Sequence, residues 1–101
     1  MMFWFSYVIS EEVNGMFVIL TYDVNQKRVG KVMKTCRKYL VHVQKSVFEG
    51  VITEAKLNRL KKELEKIIDT DVDSICVYQM ESLLYTKKEH IGVEVDYSHI
   101  I

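Results

Sequence analysis

With 101 residues, 49% of them hydrophobic, no proline and four glycines, the chain has the material for one core. This excludes a two-domain layout and a disordered, linker-rich one. Fourteen basic and fourteen acidic residues cancel to a formal charge of zero, yet the twenty-five residues from Val24 to Phe48 hold seven Lys or Arg and no acid, so the charge is polarised along the sequence.

The first nine residues, Met1 to Ile9, are apolar but lack a basic leader and a small-residue cleavage site. Glu11-Glu12 follow at once, so the run is too short to span a bilayer. Asn14-Gly15 is a turn signal directly before Met16. Residues 1–15 are therefore read as an N-terminal extension of unknown role, and residues 16–101 as one domain with a C-terminal tail. Residues 16 to 23 are almost continuously apolar, which suits a central strand buried on both faces. Its end, Tyr22-Asp23, delivers one carboxylate beside the positively charged stretch. That pairing suits a metal ion held next to a phosphate backbone, although for Asp23 taken alone a cap on the turn into the next helix is the simpler account.

Asn25 caps a helix expected from Gln26 to about Leu40. At about 100° per residue, and with Lys27 at zero, Lys31, Lys34 and Lys38 fall within about 40° of it, while Val29, Val32, Met33, Cys36, Tyr39 and Leu40 spread from about 120° to 240°. Arg28 and Arg37 flank this apolar stripe, where their side chains can reach towards a sheet edge. Residues 41 to 52 read as one bent strand with a bulge or bend at Gly50, because no Asn-Gly or Asp-Gly turn divides them. Thr53 caps a second helix to about Ile68, with Leu57, Leu60, Leu64 and Ile67 at helical spacing. Asp69-Thr70-Asp71 ends it. These acids and Asp73 form a helix-to-strand turn rather than a calcium loop, since the loop glycine and the closing glutamate are missing. A strand from Asp73 to Met80 follows, and Leu83 to Tyr85 and Ile91 to Val95 add short strands.

This order fits an α+β sandwich of the ferredoxin-like kind, a mostly antiparallel sheet with two helices on one face. Val18, Leu20, Val47 and Val77 cannot all point towards the helices, so a second copy of the sheet is the natural cover and a homodimer is expected. Cys36 and Cys76 have neither chelating nor disulfide spacing and read as core thiols in a reducing cytoplasm. His42, His90 and His99 show no ligand spacing and read as surface or strand-edge residues. The lysine row can meet phosphates without reading sequence, which predicts binding that falls steeply with salt.

Strand-Tyr22-Asp23, then Lys27-Arg28-Val29-Gly30-Lys31-Val32, then Val43-Gln44-Lys45-Ser46-Val47-Phe48-Glu49-Gly50, resembles the Cas-two family of CRISPR-associated proteins, the small partner of the integrase in spacer acquisition. The likeness runs from Met16 to Met80. It implies a homodimer packed sheet to sheet, with metal-dependent endonuclease activity on single-stranded RNA or double-stranded DNA. The family's catalytic and metal-binding acid falls on Asp23. Tyr22 takes the aromatic position beside it, Arg28 and Arg37 match basic positions near the substrate, and Ser46 and Phe48 match the motif bordering the cleft. Lys31 stands where members often carry a second arginine, and offers a point charge rather than a fork. With Lys27, Lys31, Lys34 and Lys38 these make the expected nucleic-acid surface. One carboxylate leaves most of a magnesium shell empty, so the expected Mg2+ is shared by both copies of Asp23 across the dimer axis. The alternative is a non-catalytic scaffold that bridges two integrase dimers and supports duplex DNA, with Val93 to Tyr97 adding a strand to a neighbour's sheet.

Overall fold

The computed structural model describes residues 15–80 and 89–93. Six elements follow one another: β1 (Met16–Asp23), α1 (Gln26–Arg37), β2 (Val41–Gln44), β3 (Val47–Ile52), α2 (Glu54–Ile67) and β4 (Ser74–Met80). Every strand pairing is antiparallel and the sheet order is β2-β3-β1-β4. Each helix thus joins two strands that admit a third between them, α1 around β3 and α2 around β1. This is the expected ferredoxin-like sandwich.

Strand alternation divides β1 between two environments. Val18, Leu20 and Tyr22 pack with Val32, Met33 and Cys36 of α1 and Leu57, Leu60 and Leu64 of α2, while Phe17 belongs to a second cluster with Ile19, Val41, Val51 and Met80. Both helices start as the sequence predicts. The Asn25 side chain accepts from the Lys27 N–H at 3.0 Å and the Thr53 hydroxyl from the Lys56 N–H at 3.3 Å. Val18, Leu20, Val32, Phe48 and Leu60 are fully buried, and truncating core side chains of this kind costs about 2–5 kcal/mol. Helix α1 stops at Arg37 rather than Leu40. Tyr39 and Leu40 both donate to the Cys36 carbonyl, at 3.0 and 2.8 Å, which turns the chain into β2 while keeping Leu40 buried.

Several expectations are corrected. Residues 41 to 52 form two strands joined at Lys45-Ser46, not one bent strand. His42 faces Phe48 but Gln44 faces Val47, so the irregularity sits at Val43, and Gly50 pairs regularly with Val18. A bulge adds twist, and that closes a hairpin without turn-specific residues. Val18, Leu20, Val47 and Val77 do divide between the faces as expected: Val18, Leu20 and Val77 pack towards the helices, and Val47 lies opposite Thr21, on the other face. Cys36 is buried, which pushes its thiol up to about 12, but Cys76 is exposed because the alternation of β4 gives the helix side to Ile75 and Val77. His42 does lie on an edge strand, β2, but is buried rather than superficial. Ile91 to Val93 form no strand; residues 83–85, 94–95 and His99 lie outside the described residues.

Candidate metal and nucleic-acid site

Strand β1 is central, held by β3 on one side and β4 on the other, and it ends on Asp23 opposite Ser74. Tyr22 points into the core, so Asp23 takes the face away from the helices, on the side of Ile19 and Thr21. It is exposed, and its carboxylate makes no hydrogen bond or ion pair with the described residues. Both flanks of this strand end are pinned.

On one flank Asp73, itself buried, accepts four donors. They are the Asn25 N–H at 2.9 Å, Arg28 Nε at 2.6 Å, Arg28 Nη2 at 3.1 Å and the Asp69 N–H at 2.9 Å. The Arg28 guanidinium is the largest cause holding the Asp73 carboxyl far below the usual carboxylate range, and the two backbone N–H groups add to it. Arg28 is raised in turn, chiefly by the same bond. Asp73 thereby fixes the loop that leaves Asp23, two residues on.

On the other flank the Lys45-Ser46 turn hangs from Tyr22. The Tyr22 hydroxyl donates to the Lys45 carbonyl at 3.0 Å, and its N–H donates to the Ser46 carbonyl at 3.2 Å. Burial, seconded by Cys36, raises the Tyr22 phenol against the opposing charge of Arg37, so the group stays protonated and able to donate. His42 Nε2 lies 3.3 Å from the same Lys45 carbonyl, and its ring stacks on Phe48 with centroids 4.3 Å apart and planes 9° from parallel. Burial lowers the His42 pKa first and the Arg37 charge adds to that, while the Lys45 and Gln44 backbones oppose.

Between this turn, the end of β1 and α1 lies a cleft of about 460 Å3. Gln26, Val29 and Met33 form the helix wall and Lys45 and Ser46 the turn wall, with Asp23 at the strand end. Among the described residues no group of three or more His, Cys, Asp or Glu could hold a metal. One uncommitted carboxylate still suits magnesium, which takes one or two carboxylates and fills its shell with water and substrate phosphate.

The sequence-predicted residues divide under this geometry. Lys27, Lys31 and Lys34 are exposed along α1. Lys38 is exposed too, but its ammonium is bonded to Glu63, which also accepts from the Tyr39 hydroxyl. Arg28 is committed to Asp73 and Arg37 is half-buried near Tyr22 and His42. Ser46 borders the cleft. Phe48 is a correction: it is fully buried on the helix side of β3 and has no surface to offer a ligand. Tyr22, at 8% exposure, acts from beneath the site by holding the turn. Asp73 and His42 are the supports that sequence reasoning missed. Asp73 was hidden among the acids of its turn, and the bulge at Val43 obscured which way β2 faces.

The family model described as CRISPR associated protein Cas2 matches residues 16–88. CRISPR-associated endoribonuclease Cas2 of Dictyoglomus turgidum is 49% identical over 79 residues, covering 78% of this chain and 91% of that protein. CRISPR-associated endoribonuclease Cas2 3 of Thermodesulfovibrio yellowstonii is 50% identical over 78 residues, covering 77% and 89%. Among solved structures, a crystal structure of Cas2 aligns with a TM-score of 0.72 at 35% identity, covering 79% of this chain and 90% of that one. The strand-end carboxylate, the basic helix and the turn beside them thus occur in a chain whose sequence and fold agree on one assignment, and the chain belongs to the CRISPR-associated Cas2 family.

Proposed function

We propose that this chain is a magnesium-dependent endonuclease of CRISPR adaptation, acting in the cytoplasm as a homodimer on the phosphodiester bonds of RNA or DNA. The observation that carries the reading is Asp23, a carboxylate without a partner among the described residues, at the end of the central strand with rigid supports on both sides. The relatives' name, endoribonuclease, supports the same reaction class. Asp23 is the residue that would hold the ion, with a second Asp23 from the other copy. It lies on the sheet face that carries Ile19, Val51, Met80 and the exposed Tyr78, an apolar surface suited to pairing with itself. When bound, magnesium neutralises charge on the phosphate and lowers the pKa of an attacking water. The protein's own contribution is position: Tyr22 and Asp73 hold the turn and the loop between which the substrate phosphate must lie, and the lysines of α1 bind the flanking backbone.

A second reading is favoured by the lysine row itself. Lys27, Lys31 and Lys34 can grip a duplex without any chemistry at Asp23, as a scaffold joining CRISPR integrase dimers would require. Purified protein and an Asp23→Asn variant, each given single-stranded RNA and duplex DNA with magnesium or chelator, separate the two. The nuclease reading expects magnesium-dependent cleavage that falls by about 10²-fold or more in the variant. Cleavage unaffected by the substitution removes Asp23 from the reaction, and no cleavage by either protein leaves the scaffold.

A further inference from the structure

Gly30 lies in the middle of α1, where glycine is less favourable than alanine because it loses more backbone freedom on folding. Internal packing does not explain it. A Cβ built at Gly30 would meet nothing within 4 Å, so the fold leaves room for a side chain there. Its place on the helix suggests a reason outside the chain. On the helical wheel Gly30 falls between the cleft-wall residues Gln26, Val29 and Met33 on one side and Lys34 on the other. Bare backbone therefore separates the cleft from the lysine row.

The cleft itself has two kinds of lining. Val24, Val29 and Met33 give it apolar walls, while Gln26 and Ser46 bring an amide and a hydroxyl, Lys45 adds a cation on the turn side and Asp23 a carboxylate at the strand end. Its volume of about 460 Å3 lies in the range of small-molecule sites. A flat apolar ring with hydrogen-bonding edges, carried on an anionic backbone one end of which leaves on the Lys45 side, is a solute that matches apolar walls, polar groups and that cation together. Inside a duplex that ring is stacked and out of reach; in a single strand it can turn outward.

We propose that this cleft seats one unstacked nucleobase of a single-stranded nucleic acid, with its sugar and phosphate crossing α1 over Gly30 towards Lys34. The seat rests on the nucleic-acid reading above and adds to it the way a strand is held, by one free base beside Asp23. A duplex could meet the lysine row but not fill the cleft.

Binding is measured in chelator, so the result does not depend on hydrolysis. The probes are a fluorescent single-stranded RNA, the same strand carrying several abasic positions, and a duplex DNA of equal length. Wild-type protein should bind the abasic strand about tenfold more weakly than the intact one, the order expected for losing a buried base. Gly30→Ala should raise the melting temperature by about 4 °C while weakening the intact strand several-fold and leaving the duplex unchanged. Val29→Phe, which narrows the cleft without touching Gly30, should likewise weaken the intact strand only. Equal binding of intact and abasic strands overturns the seat. So does a Gly30→Ala variant that is more stable and binds the single strand as tightly as before, or one that loses strand and duplex alike. The Asp23→Asn cleavage assay fails or succeeds independently, so loss of the nuclease reading and loss of the seat are told apart.

Discussion

At Lys45 one carbonyl oxygen accepts from the Tyr22 hydroxyl and lies within reach of His42 Nε2, so two buried side chains hold the same point of the turn. Neutral His42 can donate there, and the stack on Phe48 fixes its ring. Burial holds the folded-state pKa of His42 below its ordinary value of 6.5. The unfolded chain therefore binds the proton more readily, and this contribution to stability is present above pH 6.5 and lost as pH falls through and below it. The melting temperature of the wild type should drop on going from pH 7.5 to 5.5 by more than that of a His42→Gln variant, which keeps a donor but cannot titrate. Identical slopes in differential scanning calorimetry would assign the pH response to other groups. Asp23 shows the opposite design, an exposed carboxylate that nothing in the described chain neutralises.

Elements place these residues, and they account for what the sequence made legible. The strand 16–23, both N-caps and the two apolar helix stripes could be read from local chemistry, and with them the fold class and the position of Asp23. The Lys45-Ser46 hairpin could not. Its closure depends on Tyr22, twenty-three residues away, and on a bulge at Val43, neither of which leaves a turn signature in the sequence. The Arg28–Asp73 pair was hidden for the same reason, since it ties α1 to the start of β4 across forty-five residues. That tie has a testable sign. Because Arg28 depresses the Asp73 pKa, its stabilising effect is present above the ordinary carboxylate value near 4 and is lost as pH falls further, towards the folded-state value. Asp73→Asn should lower the urea midpoint clearly at pH 7 and by less at pH 2.5, where the carboxyl of the unfolded chain is protonated. An equal deficit at both values would show that shape, not charge, is what Asp73 provides.

For the whole molecule, a net charge of zero conceals one cationic row and its limits. Lys27, Lys31 and Lys34 are exposed, whereas Lys38 is neutralised by Glu63 and Arg28 by Asp73. Duplex binding should therefore weaken with salt along a logarithmic slope of about −3 per chain. Lys31→Ala should flatten that slope by about one and Lys38→Ala should leave it unchanged; a reversal of those two results would mean that the ion pair opens on binding. The Tyr22 anchor reaches beyond the finished structure, into the order in which it assembles. A turn with no local preference of its own has to wait for distant β1 to arrive, so the Asp23 end of the sheet should close late, after the barrier has been crossed. Removing the Tyr22 hydroxyl, worth about 1 kcal/mol, should then hasten unfolding about fivefold and leave refolding at its native rate, whereas a chevron slowed on its folding arm would put the turn in the nucleus.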